Sequence, residues 1–140
     1  MKLSFTKEQE FIVKEIWILA WNASVQRARL YKKGLNSEDR KKSAFRESVI
    51  SYIEENLFQS YKNGCNEDQH YKNIDLLIEK ANKYGSEILG PDMYKYGVAQ
   101  KFLNLAVKYM WCLGHIQEPP HCPVDRIVIN KIINCKFMHA

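Results

Sequence analysis

The chain has 140 residues, 46% of them hydrophobic and 26% charged, with a formal net charge of +5. That length suits one domain with one core, and the composition excludes a disordered or low-complexity chain. The positive balance favours an anionic partner: nucleic acid, a nucleotide or an acidic protein surface.

The N-terminal run MKLSFTKEQEF has no apolar core ending in small residues, so it does not read as a signal peptide. The most apolar run, FIVKEIWILAW, carries Lys14 and Glu15 and is too short to span a bilayer. The expectation is a cytoplasmic protein with no membrane association. Its four cysteines, Cys65, Cys112, Cys122 and Cys135, are then expected to be reduced.

Five helices are predicted in chain order, making a compact all-α single domain over 1–140. The first opens with the capping pair Thr6 and Gln9 and is predicted to run to Gly34, with Ile12, Ile16, Leu19, Ala23 and Leu30 as its inner stripe. The second starts near Asn36 or Ser37 and stops before Gly64, with Phe45, Val49, Ile53 and Leu57 inward. The third starts at Asn66, with Gln69 three residues on, stops at Gly85, and faces Ile74, Leu77, Ile78 and Ala81 inward.

The fourth lies in GPDMYKYGVAQKFLNLAVKYMWCLG, with Pro91 and Asp92 in its first turn and Gly114 at its end. Gly97 marks either a kink or a break between two shorter helices. A loop HIQEPPHCP follows. In VDRIVINKIINC the β-branched residues allow a strand, but Val124, Ile127, Val128 and Ile132 favour a helix. Trp17, Phe45, Ile53, Ile74, Leu77, Phe102 and Leu105 are the predicted core.

Four groups of residues could carry chemistry. Cys112, His115, His121 and Cys122 are all zinc-binding types, but adjacent His121 and Cys122 make poor joint ligands, and no metal or other cofactor is expected. Lys101, in an apolar run, is either a nucleophile of lowered pKa or a lysine snorkelling off a surface helix. Asp125, in the first turn of the last helix, either caps backbone N–H groups or serves as a charged catalytic group. Gln100, Asn104, Lys108, His121 and Arg126 are candidates to line a cleft with them. Finally, Arg27, Arg29, Lys32, Lys33, Arg40, Lys41, Lys42 and Arg46 crowd the first helix junction at a density suited to phosphate contact.

Two stretches resemble one family. GVAQKFLNLAV, residues 97–107, resembles the glycine-rich hairpin and following helix of the helix-hairpin-helix DNA glycosylases, and PPHCPVDRIVINKI, residues 119–132, resembles their Pro-Val-Asp segment. The order, lysine before aspartate, is also that of the family. The resemblance implies a DNA-binding protein in which Gly97 and Val98 belong to a phosphate-binding hairpin. It further implies that Lys101 attacks the sugar carbon while Asp125 assists base release. The same residues also fit a non-enzymatic helical interaction protein, in which they are caps, core cysteines and surface charges.

Overall fold

The structure is a computed structural model and describes residues 3–35 and 40–120. Within these residues the chain is all-α. The helices are α1 (Lys7–Val25), α2 (Arg40–Tyr52), α3 (Phe58–Lys62), α4 (Glu67–Tyr84) and α5 (Tyr96–Cys112). A π-helical turn, Ile53–Leu57, joins α2 to α3, so residues 40–62 form one rod. The predicted helix at 124–135 and the predicted start at Asn36 or Ser37 lie outside the described residues.

Local signals placed most helix ends. Thr6 Oγ1 accepts from the Gln9 N–H at 3.2 Å, and the Thr6 N–H donates to Gln9 Oε1 at 2.9 Å, closing the expected capping box. Asn66 Oδ1 accepts from the Gln69 N–H at 2.8 Å and caps α4. The stripe Phe45, Val49, Ile53 and Leu57 is buried throughout. Residues spaced by four drift about 40° per step around an α-helix. The wider π turn takes up that drift, which keeps Leu57 and then Phe58 and Tyr61 on the inner face.

Three expectations are corrected. The first is the length of α1, which stops at Val25 and not at Gly34. Its 19 residues already span about 28 Å, close to the diameter of a domain this size. A longer helix would carry Leu30 into solvent. Instead, residues 28–35 turn back as a strap along the connector 85–95. Tyr31 and Leu89 form an antiparallel bridge. The Lys32 N–H donates to the Ile88 carbonyl and the Gly90 N–H to the Leu30 carbonyl, both at 2.9 Å. Leu30 is thereby buried.

The second correction is the face that α1 buries. Val13, Ile16, Trp17, Ala20, Trp21 and Ser24 are inside, whereas Ile12 is 44% and Leu19 58% exposed. Two apolar stripes compete on this helix. The one with two tryptophans removes more area from water and wins.

The third concerns α5, which begins at Tyr96, so Pro91 and Asp92 sit in a turn before it. Asn82 holds that turn, accepting from the Tyr94 N–H at 2.8 Å, and the Tyr94 side chain enters the core at 1% exposure. Gly97 therefore lies in the first turn of α5, and the helix runs through to Cys112 without a break.

The core centres on rings. Trp17 stacks on Phe58 at 5.6 Å, and Phe102 lies 5.5 Å from Trp17 and 5.2 Å from Trp21. Phe45 and Tyr94 close the group at 6.2 Å. Gly85 ends α4 where this cluster leaves no room, since a Cβ there would lie 2.7 Å from Leu89 Cγ and from Phe45 Cε1. Gly85→Ala is expected to destabilise the chain by about 1–3 kcal/mol through overpacking, read as a lower urea midpoint.

Candidate nucleic-acid interface

The C-terminal end of α1 and the start of α5 bring basic side chains from distant parts of the sequence together. Ala23 and Ser24 at the end of α1, with Arg27 and Ala28 just after it, face Lys95, Gly97, Val98 and Lys101 across a depression of about 240 Å³. Among the described residues its lining holds three cations and no acid. Among the described residues Arg27, Lys95 and Lys101 form no ion pair. Gly97 leaves the wall open, because a Cβ there would meet nothing within 4 Å.

The predicted basic residues continue along the strap. Arg29, Lys32 and Lys33 are exposed. At Tyr31 the strap meets α2, where Lys42 Nζ lies 4.6 Å above the ring. The Arg46 guanidinium is also near, and its positive charge favours the Tyr31 phenolate, although burial is stronger and raises the pKa overall. Lys41 pairs with Glu87 at 3.5 Å, tying α2 to the connector, and Arg40 is exposed.

The resemblance placed Gly97 and Val98 in a hairpin, whereas both are helical residues of α5. Lys101 is exposed and stands on the rim of the depression, so the described residues do not enclose it in an apolar pocket. Of the other cleft candidates on α5, Gln100 and Lys108 are half-buried. Asn104 is fully buried, and among the described residues neither its amide nitrogen nor its oxygen has a hydrogen-bond partner. His121, Asp125 and Arg126 lie outside the described residues, as does Cys122 of the candidate zinc set. Cys112 is exposed, and the His115 ring packs edge-on against Phe5 at 4.8 Å. No group of three or more metal-binding side chains occurs among the described residues.

Sequence reasoning missed Lys95, which carries no pattern of its own and matters only because α5 starts beside it. It also missed a buried polar cluster between α3 and α4. Tyr61 Oη lies 2.6 Å from His70 Nδ1. The Asn73 amide donates to Ser60 Oγ at 3.0 Å and accepts from Gln69 at 2.9 Å. A signal was present: His70 and Asn73 fall on the helical spacing of Ile74, Leu77 and Ala81, and so on the inner face. Nearby, burial raises the pKa of the Cys65 thiol, which makes it a poor nucleophile.

This cluster fixes the packing of the two helices. Tyr61→Phe removes the partner of His70 Nδ1 and is expected to cost about 1–3 kcal/mol in urea unfolding. Burial also holds the Tyr61 and Tyr94 hydroxyls well above their ordinary pKa of 10. Below pH 10 both states keep these protons and the stabilisation is complete. Above it the unfolded chain releases protons that the folded chain retains, so stability falls as pH rises. The urea midpoint is expected to drop from about pH 10 upward, and less steeply in Tyr94→Phe.

Comparison with protein-family models, curated proteins and solved structures finds no match. No helix among the described residues is long and apolar enough to cross a membrane.

Proposed function

We propose that the chain binds nucleic acid, DNA in the first instance, through phosphate contacts along the basic face. The observation that carries this reading is the depression where Arg27, Lys95, Gly97 and Lys101 meet with no acid among the described lining residues. These three cations, which form no ion pair among the described residues, repel one another, and a phosphate relieves that repulsion. The strap extends the positive surface from Arg27 past Arg29 to Lys32 and Lys33, while Lys42 and Arg46 add charge at Tyr31.

The test is fluorescence anisotropy with labelled DNA across a salt series. Log K is expected to fall linearly with log salt, by about 0.9 for each phosphate contacted on a duplex. No binding at low salt, or binding indifferent to salt, would overturn the reading and favour a protein partner.

A second reading is base release with Lys101 as nucleophile and Asp125 as its assisting carboxylate. Its support is the place of Lys101 on the rim of the same depression. Borohydride is then expected to trap a covalent DNA adduct that Lys101→Ala abolishes. If damaged and mismatched duplexes yield no adduct and no free base, the chain binds DNA without cleaving it.

A further inference from the structure

We infer that the depression between α1 and α5 receives one nucleotide of a single strand, with its base on the floor and its phosphate at the rim. The inference rests on the nucleic-acid reading above and narrows its substrate class. The depression has two chemically different parts. Arg27, Lys95 and Lys101 come from three separate positions and supply positive charge. Ala23, Ala28 and Val98 supply apolar lining. Inorganic phosphate would use only the first part.

A nucleotide matches both, because it joins an anionic phosphate to a flat base with an apolar face. In a duplex the base faces are stacked inside and the phosphates lie on a convex surface, so the floor would touch nothing. A single strand leaves its base faces free to lie on a protein surface. The size agrees. At about 240 Å³ the depression falls below the roughly 300–1,000 Å³ of pockets that enclose a drug-sized ligand, which suits one unit of a strand. Small residues keep it open: Ala23, Ser24, Ala28 and Gly97.

Anisotropy on the full chain tests this with two probes, a labelled dT 12-mer and the same strand annealed to its complement. The single strand is expected to bind at least about tenfold more tightly at matched salt. Gly97→Leu places a side chain in the open wall without a clash at Cβ. It is expected to weaken single-strand binding about tenfold, with the salt slope unchanged and the melting temperature at or above wild type. Lys101→Gln is expected to lower the single-strand slope by about 0.7. Equal or tighter duplex binding overturns the inference and leaves the nucleic-acid reading intact. So does a folded Gly97→Leu, confirmed by Ala23→Leu, that binds the single strand like wild type. If neither probe binds at low salt, both readings fail together.

Discussion

Phe102→Ala is expected to destabilise the chain by about 3–5 kcal/mol, measured by urea unfolding. The side chain has no exposed surface and touches both tryptophans of α1, at 5.5 Å and 5.2 Å. Through Trp17 it is coupled to Phe58 on α3, and through Trp21 to Phe45 on α2 and Tyr94 on the connector. Removing the ring leaves a cavity walled by large aromatic groups on several elements, which cannot all move inward at once. A domain of this kind has about 5–15 kcal/mol in total, so the loss takes a large share of it. Leu105→Ala provides the contrast. Sequence pattern put Leu105 in the core, but it is only half-buried, because it lies off the α5 face that packs on α1. A markedly smaller loss is expected there.

The quadruple variant Arg27→Gln, Lys42→Gln, Arg46→Gln and Lys101→Gln is expected to lower duplex affinity by about three to four decades at 0.1 M salt. The magnitude follows from the loss of four phosphate contacts, each contributing about 0.9 to the salt slope. The slope itself is expected to fall by about 3.6. Stability changes little in comparison, since a cation–π contact between half-buried partners such as Lys42 and Tyr31 contributes about 0.5–2 kcal/mol. Lys7→Gln with Lys14→Gln, exposed on α1, is the control for net charge alone. If the control weakens binding as much as the quadruple variant does, affinity follows overall charge and the basic face has no special place.

Much of the helical content was legible because the signals are local. Thr6 with Gln9 and Asn66 with Gln69 satisfy their own helix ends, and the Phe45-to-Leu57 stripe needs only one partner surface to be buried. The candidate site was legible as a list of basic residues, and its assembly was not. Arg27 and Lys101 are far apart in sequence and meet because α1 packs along α5. Lys95 gave no signal. His70 and Asn73 gave one, on the inner face of α4, which the search for apolar residues alone passed over.

The sequence by itself determined the all-α class, most helix caps, the inner faces of α2 and α4, and the net positive charge. These depend on hydrogen bonds within a turn, on helical periodicity and on net charge. Tertiary structure decided where α1 stops, which of its two apolar stripes is buried, where α5 starts, and which cations share a depression. Each of these is a competition between alternatives that are close in local energy. Contacts between segments remote in the chain settle it: Trp17 and Trp21 against Phe102, Tyr94 against Phe45, and Leu30 of the strap held at Gly90.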